Sequence, residues 1–296
     1  MNQLSRRRTA LYLTFLVIVW GINWPLSKLA LSYTPPVLFA ALRTLIGGIL
    51  LCLIALPNYQ RLNLKQNWPA YAIAGVLNIS LYYGLQTIGL GYMPAGMFSA
   101  IVFLQPVLLG ICSWLWLGES MTVAKICGLT LGFCGVAVIS VSGLSTGLSP
   151  EGIGLALASA LSWCFGTVFM KKKSDSVDII WMTAMQLIIG SILLFISGFW
   201  AEKFSAIVWN SAFVINLLFI SVFVIAIGWL VFFKLVQSGE ASKVGSFTFL
   251  IPLLALGFSA LFTGEHITVR LALGLLLILA SILLVNVQIR SRSRSV

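Results

Sequence analysis

The stretch FLQPVLLGICSWLWLGE, residues 103–119, occurs a second time in this chain as FLIPLLALGFSALFTGE, residues 249–265. Eight of the 17 aligned positions are identical, and in both copies a Gly-Glu pair follows the proline at the same distance. The two copies lie 146 residues apart in a chain of 296 residues. The repeat therefore predicts two copies of one structural unit, over 1–147 and 148–296.

Further matches outside the quoted stretches extend the repeat toward the start of each unit. Trp20 aligns with Trp163 and Gly47 aligns with Gly190, both at an offset of 143 residues. A small difference in loop length between the two units reconciles this offset with the larger one. The duplication therefore covers most of each unit.

The composition places this chain in lipid. Hydrophobic residues make up 60% of the sequence and charged residues only 8%, with a mean hydropathy of +1.05. Soluble domains carry about 25% charged residues, so this chain has too little charge to cover a surface exposed to water. Uncharged runs of about 20 residues, the length that crosses a bilayer as a helix, recur along it.

We predict an all-α polytopic membrane protein with ten transmembrane helices. The first follows Arg6, Arg7 and Arg8, but its apolar core is too long for a signal peptide and no small-residue cleavage site follows, so we expect it to be retained. Glycine and proline in GLGYMPAG (89–96) divide the longest uncharged run into two spans. The predicted spans are 10–31, 36–56, 69–89, 95–117, 123–142, 151–170, 178–200, 212–235, 242–263 and 267–288.

An odd number of helices in each unit has a consequence for orientation. Because each unit would hold five helices, the second enters the membrane from the side opposite to the first. Inverted repeats are a common architecture of secondary transporters, with the substrate site between the repeats near the bilayer midplane. We therefore expect two inverted five-helix repeats around a central cavity that faces each side of the membrane in turn.

The net charge of +11 raises the question of a nucleic-acid partner. The positions of the charges favour another explanation, since 14 of the 18 Lys and Arg residues fall in or beside segments on one side of the predicted topology. Cytoplasmic loops of membrane proteins carry such an excess. We expect a multi-pass protein of the cell membrane with both termini in the cytoplasm, in contact with membrane lipid and not with nucleic acid.

Four stretches resemble the drug/metabolite transporter superfamily, in its EamA-like branch of five-plus-five repeats. They are VWGINWPLSK (19–28), ALRTLIG (41–47), PAGMFSAIVFLQPVLLGICSWLWLGE (94–119) and FTFLIPLLALGFSALFTGE (247–265). The resemblance covers nearly the whole chain. It implies ten helices around a central cavity, a location in the inner membrane and, in many members, export of amino acids or related small molecules.

The repeated motif itself has two interpretations. Gly118–Glu119 and Gly264–Glu265 are typical of a tight turn, in which Gly ends one helix and Glu lies at the start of the next, where the helix dipole favours an anion. They are also candidates for a gate. Proline removes a backbone hydrogen bond inside a helix, so Pro106 and Pro252 are predicted to kink their helices, either for packing or to shape a cavity.

Arg43 is the ionisable residue placed deepest in a predicted span. A charge at such a depth costs at least a few kcal/mol and faces a cavity or a partner, unless the side chain extends to the interface. We favour the interior, where Arg43 would meet a substrate carboxylate or backbone carbonyls. In contrast, all seven Asp and Glu residues fall in loops or at helix ends, so we expect no proton or cation exchange through a buried carboxylate.

Amide and aromatic side chains in the spans are the other candidates for substrate contacts. Each one alone is explained by helix packing, but amides and aromatic rings together suit a zwitterionic or amphipathic solute. With Arg43, the predicted substrate-binding residues are Asn23, Trp24, Tyr82, Gln86, Phe103, Gln105, Trp163, Trp229 and Phe233.

These observations predict a secondary transporter that exports small molecules, in particular amino acids or their analogues, by alternating access. Efflux of neutral or hydrophobic drugs is an alternative. A membrane enzyme acting on lipid-linked substrates is a weaker one, because its only candidate pair, Asp175 and Asp178, is also explained by helix capping. The sequence has no GxxxxGK[ST] phosphate loop, no HExxH motif and a single histidine, so we expect no catalytic residues, no metal and no cofactor.

Overall fold

The computed structural model describes residues 4–92, 95–140, 149–263 and 269–286, and these residues are mostly helical. Two short 3₁₀ helices, Leu56–Leu62 and Phe204–Ala206, and two π-helical segments, Gly75–Leu81 and Ile220–Ile227, accompany the α-helices. The α-helices are α1 (Arg6–Ala30), α2 (Pro36–Ala55), α3 (Leu64–Ala74), α4 (Tyr82–Tyr92), α5 (Ala95–Val102), α6 (Gln105–Leu117), α7 (Val123–Ser140), α8 (Pro150–Lys173), α9 (Ile179–Ala201), α10 (Ser211–Phe219), α11 (Gly228–Ser238), α12 (Ala241–Phe247), α13 (Leu250–Thr263) and α14 (Val269–Asn286).

Within the described residues, six helical segments are long and apolar enough to cross a bilayer, and four shorter apolar helices lie between and after them. The chain is therefore a polytopic membrane protein. The six segments are Arg6–Ala30, Pro36–Leu62, Leu64–Tyr92, Pro150–Lys173, Ile179–Ala201 and Ser211–Ser238, and the shorter helices are Gln105–Leu117, Val123–Val138, Ala241–Ala255 and Leu276–Asn286.

Two of the long segments contain a π-helical stretch that the sequence did not predict. Gly75–Leu81 joins α3 to α4, and Ile220–Ile227 joins α10 to α11. A π-helix places an extra residue in each turn, so the residues after it are rotated about the helix axis. Asn78 lies inside the first of these stretches, so it is rotated relative to the face of α4 that an unbroken α-helix would have let it share with Tyr82 and Gln86.

The two repeated prolines lie just after helix breaks. Tight i→i+3 hydrogen bonds, such as Leu104 N–H to Ile101 and Thr248 N–H to Gly245, end α5 and α12 before α6 and α13 begin. Pro106 then occupies the first turn of α6, where a missing N–H costs nothing, and Pro252 is the third residue of α13. The predicted kink inside one continuous helix is therefore replaced by two short helices on either side of a turn.

Helices α2 and α9 form an antiparallel pair that is fixed at both ends. At one end, the Glu202 carboxylate accepts the backbone N–H groups of Val37 and Leu38 at 2.9 and 2.8 Å, and so caps the start of α2. At the other end, the Trp181 Nε1–H donates to the Asn58 carbonyl at 3.0 Å. The pair therefore holds a fixed register against the rest of the bundle.

Each helix of this pair carries a glycine where a π-helical segment packs against it. A Cβ added at Gly47 of α2 would lie 2.7 Å from the Ile225 Cγ2, and one added at Gly190 of α9 would lie 2.4 Å from the Ile79 Cβ. Real Cβ atoms do not approach so closely. Glycine at these two positions therefore lets the helix backbones come into direct contact, as small residues do in membrane helix pairs.

Candidate functional site

Four aromatic rings meet in the middle of the described bundle. Trp20 of α1 lies 5.6 Å from Trp163 of α8 and 5.7 Å from Trp229 of α11, centroid to centroid. Tyr82 of α4 is the fourth ring and lies 5.3 Å from Trp163 and 5.9 Å from Trp229. We call these four residues the aromatic box. The distances are those of favourable aromatic pairs.

The box borders a cavity that is nearly closed. Its volume is about 10 Å³, which is room for one water molecule at most. The structure therefore shows a state in which the side chains fill the centre of the bundle. The lining residues are Trp20, Asn23, Trp24, Tyr82, Tyr83, Phe103, Trp163, Val224 and Trp229.

More aromatic rings support the box from outside. Phe233 lies 5.0 Å from Trp229, while Phe103 lies 6.2 Å from Trp163 and 6.1 Å from Trp24. The Trp229 Nε1–H donates to the Tyr83 hydroxyl at 2.6 Å. The rings therefore hold one another in place through edge contacts and one buried hydrogen bond.

Arg43 is fully buried and lies behind the aromatic rings, next to Tyr83. Its guanidinium donates to the Ser27 hydroxyl at 3.0 Å and to the Thr87 hydroxyl at 3.1 Å, and it stacks 4.5 Å above the Tyr83 ring and 4.7 Å above the Phe39 ring. The Arg43 Nε has no hydrogen-bond partner. No Asp or Glu in the described residues forms an ion pair with it, so the site holds an uncompensated positive charge.

Several polar atoms near the centre are buried without a partner. Among the described residues, the side-chain oxygen and nitrogen of Gln86 and of Gln105 and the Trp163 Nε1 have none. The Asn78 amide donates to the Gln186 Oε1 at 3.0 Å, but the Asn78 Oδ1 and the Gln186 Nε2 are unpaired as well. Buried polar groups are normally satisfied, and exceptions ask for an explanation. Unpaired groups of this kind are what a bound polar solute can satisfy.

A second polar cluster joins α6, α7 and α12 at one end of the bundle. Glu119 accepts the Ala241 N–H at 2.6 Å and the Ser242 N–H at 3.2 Å, and also accepts the Ser242 hydroxyl. The Lys125 Nζ lies 2.5 Å from the Glu240 carboxylate and 3.8 Å from that of Glu119. We call Glu119, Lys125, Glu240 and Ser242 the latch, because they tie the α6–α7 loop to the start of α12.

The comparison with known proteins agrees with this architecture. The EamA-like transporter family matches residues 7–141 and again residues 150–287. The chain belongs to this family. "Uncharacterized transporter YvbV" of Bacillus subtilis (strain 168) is 62% identical over 292 residues, which cover 99% of this chain and 96% of that protein.

More distant relatives and a solved structure extend the comparison. The "Probable amino-acid metabolite efflux pump" of Escherichia coli (strain K12) is 26% identical over 93% of this chain and 94% of its own. A solved structure at 20% identity superimposes with a TM-score of 0.82, covering 95% of this chain and 97% of that one, which supports the fold.

Membership of this family makes the chain a membrane transporter and not an enzyme. One member of the candidate enzymatic pair, Asp178, has another role in the structure. Asp178 caps α9 by accepting the N–H groups of Ile180 and Trp181 at 3.0 and 3.2 Å, and it pairs with Arg61 at 3.4 Å. Asp175 is exposed in the turn before it. Helix capping therefore explains Asp178, as the sequence suggested.

The structure gathers most of the residues that the sequence put forward for substrate contacts. Of these residues, Gln86, Gln105, Arg43 and Phe233 are buried without lining the cavity, and the others line it. Trp20, Tyr83 and Val224 also line it but were not among the candidates. The repeat could have identified two of them, since Trp20 aligns with Trp163, and Tyr83 aligns with Trp229 at the offset of 146 residues.

The repeated Gly-Glu motif is described in its first copy only. Gly118 ends α6 with a φ of +69°, a left-handed conformation that favours glycine. The expectation for Glu119 was wrong in one respect, because α7 does not begin until Val123 and Glu119 caps α12 instead. Gly264 and Glu265 lie outside the described residues.

Acidification is expected to weaken the latch. Burial raises the pKa of Glu240, but hydrogen bonds from Lys125 and Lys243 outweigh it and hold that pKa below its ordinary value of 4.5. Such a carboxyl stabilises the fold above its unfolded pKa, and the contribution is lost as pH falls through the folded pKa. Lys171 and Glu119 also face this group.

We therefore expect the melting temperature of the purified protein to fall more steeply below about pH 4.5 in the wild type than in Glu240→Gln. At pH 7 the variant should melt below the wild type, since it has lost the charge that pairs with Lys125. Equal slopes on acidification would show that Glu240 is not the group that titrates.

Proposed function

We propose that this transporter exports amino acids or related zwitterionic molecules across the cell membrane by alternating access. The observation that carries the proposal is Arg43, which is buried behind the aromatic box and has no carboxylate partner among the residues that the structure describes. An isolated charge in the membrane interior is costly, and it marks a substrate or ion pathway by default. A substrate carboxylate supplies the missing negative charge.

The inverted ten-helix architecture is part of this proposal. The family matches the chain twice, and this supports units at 1–147 and 148–296. Pairs of residues related by the repeat also meet in space: Trp20 contacts Trp163, and Tyr83 contacts Trp229. With five spans in each unit and the excess of Lys and Arg on one side, both termini lie in the cytoplasm.

The repeat also relates the contacts around the π-helical segments. Gly47 of the first unit receives Ile225 of the second, and Gly190 of the second receives Ile79 of the first. Reciprocal contacts of this kind support a pseudo-two-fold axis between the units. A site on that axis can face either side of the membrane at similar free energy, which alternating access requires.

The substrate site combines the box with Arg43 and the unpaired amides. In the closed state the cavity holds no solute, because its volume is about 10 Å³. An open state must therefore separate α1, α4, α8 and α11. The rings then contact the apolar part of the solute. Arg43 binds the carboxylate of the solute by donating a charge-assisted hydrogen bond.

The latch closes the cytoplasmic side in this topology. Glu202 has the matching role at the other end of the bundle, where it caps α2. The turns before Pro106 and Pro252 separate α5 from α6 and α12 from α13, so that each short helix can move without bending a long one. Gly118 allows the sharp turn that brings Glu119 to α12.

Breaking the latch is expected to open the cytoplasmic side. In Glu119→Gln we expect a cysteine introduced at Ser246, which is fully buried in α12, to react several times faster with a membrane-impermeant maleimide in inside-out vesicles. The reason is that charged acceptors make hydrogen bonds roughly twice as strong as neutral ones. Glu202→Gln is the matched control, because it weakens an equivalent cap at the opposite end. Equal rates in both variants would refute the assignment of the latch as a cytoplasmic gate.

Counterflow in proteoliposomes tests the proposed function. Purified protein is reconstituted, the vesicles are loaded with one unlabelled amino acid at a time, and uptake of the same labelled amino acid is followed without any ion gradient. Accumulation of one or more amino acids supports the proposal. The alternative, efflux of neutral hydrophobic compounds, is supported instead if those compounds exchange and no amino acid does.

A further inference from the structure

The cavity lining that the structure describes contains aromatic faces and no acid. None of its nine described residues carries a carboxylate. Two of its side-chain oxygens already accept hydrogen bonds, since the Asn23 Oδ1 accepts the Ser27 hydroxyl at 3.1 Å and the Tyr83 hydroxyl accepts the Trp229 Nε1–H at 2.6 Å. The lining therefore offers few acceptors to a group that needs several, and the unpaired amides of Gln86 and Gln105 lie outside this lining.

The shortage of hydrogen-bond acceptors decides which cationic group of a zwitterion the cavity can hold. A primary ammonium carries three N–H donors, and burying them without acceptors costs several kcal/mol. A quaternary ammonium has no N–H group and needs no acceptor. Its charge is spread over methyl groups, and aromatic faces attract it through the ring quadrupole, most strongly in Trp.

The box has the composition that this interaction favours. Three of its four rings are tryptophans and the fourth is a tyrosine. Each unit of the repeat contributes two of them, on two different helices. Partial separation of the units therefore opens a space with aromatic faces on several sides, which is the arrangement that surrounds a tetrahedral ammonium.

The charge of Arg43 further restricts which ligands the aromatic box can hold. Its guanidinium lies 4.5 Å from the ring of Tyr83, and its hydrogen bond to Ser27 connects it to Asn23 in the cavity wall. A simple cation in the box would be repelled by this charge. A zwitterion is not, because its carboxylate lies between the two positive groups.

We propose that the preferred substrates are N-methylated zwitterions, with the methylated ammonium held by the aromatic box and the carboxylate turned toward Arg43. This inference rests on the proposed function, since it narrows amino acids and their analogues to those with a bulky, weakly hydrated cationic group. It assigns separate tasks to the two parts of the site. The box selects the positive end, and Arg43 selects the negative end.

A series of four ligands tests the assignment. Binding of glycine, sarcosine, N,N-dimethylglycine and glycine betaine to the protein in nanodiscs is measured by calorimetry, and exchange of each is measured in proteoliposomes. We expect affinity to rise with every methyl group, by at least about tenfold over the series. The carbon isostere 3,3-dimethylbutanoate, which has the same shape as glycine betaine without the positive charge, should bind about tenfold more weakly than glycine betaine.

Variants locate the preference in the box. Trp163→Phe keeps an aromatic ring but weakens the attraction for a cation, so it should reduce the preference for glycine betaine over glycine several-fold. Trp116→Phe is the matched control, because Trp116 is half-exposed in α6 and contacts Phe165 outside the box. It should leave the preference unchanged.

Each result separates this inference from the proposed function. Equal binding of glycine and glycine betaine, or equal binding of glycine betaine and its carbon isostere, overturns the inference. Exchange of unmethylated amino acids in that case keeps the proposed function. If no zwitterion of any kind binds or exchanges, both are wrong.

Discussion

Replacement of Arg43 by Met is expected to weaken amino-acid counterflow strongly while leaving the protein as stable as the wild type or more stable. The two effects point in opposite directions because Arg43 forms no ion pair with an acidic residue in the described part of the chain. A buried charge without compensation costs several kcal/mol, and its replacement by an apolar residue of similar size is neutral or stabilising. The hydroxyls that Arg43 contacts keep other partners, since Ser27 donates to Asn23 and Thr87 donates to the Tyr83 carbonyl.

The expected loss can be measured as a change in apparent affinity. A hydrogen bond to a charged group contributes about 1.5–3 kcal/mol, so the apparent affinity for a carboxylate-bearing solute should fall by about 10- to 150-fold. Arg43→Lys, which keeps the charge but loses the planar fork, should retain part of the activity. Thermal unfolding in detergent supplies the second readout. A large drop in melting temperature together with normal counterflow would show that Arg43 only packs the helices.

Gly190→Ala is expected to destabilise the protein by about 1–3 kcal/mol, the usual cost of adding a methyl group to a filled core. The added Cβ would lie 2.4 Å from the Ile79 Cβ and 2.7 Å from the Gly75 carbonyl oxygen. The second contact is with backbone, which no change of rotamer relieves. The π-helical segment must therefore move away from α9, and the melting temperature should fall.

Gly154→Ala serves as the control for this substitution. Gly154 is also helical, but an added Cβ there meets no atom within 4 Å. Alanine is favoured over glycine inside a helix, so this variant should be neutral or slightly more stable. If the two variants melt at the same temperature, the close contact between α9 and the π-helical segment does not hold in the protein.

Apolar runs in the sequence predicted the six long helical segments, and the repeat identified the aligned tryptophans, but the predicted spans 95–117 and 242–263 are each divided into two helices. Those predictions rest on length and composition, which the bilayer fixes strongly. Length and composition do not predict π-helical segments. Ile220–Ile227 is entirely apolar apart from one serine, so the hydrophobic pattern does not indicate how many residues make each turn.

The substrate site was predicted in part, and its gaps have physical causes. Gln86 was among the predicted substrate contacts, but it is buried one turn beyond Tyr82 in α4 without lining the cavity, whereas Tyr82 and Tyr83 both line it. Glu119 was placed at the start of its own next helix, whereas its partner is 122 residues away at Ala241. Local sequence contains no information on a cap supplied to a distant helix.

The packing of the tryptophans gives this protein an optical property of its own. Indole rings whose centroids lie 5.6 and 5.7 Å apart, as in Trp20 with Trp163 and Trp229, couple their excited states. Such coupling produces a paired positive and negative band in circular dichroism, with a sign set by the handedness of the ring arrangement. Any solute that parts these rings must weaken that band. The closed and open states should therefore be distinguishable by spectroscopy on the unlabelled chain, in real time.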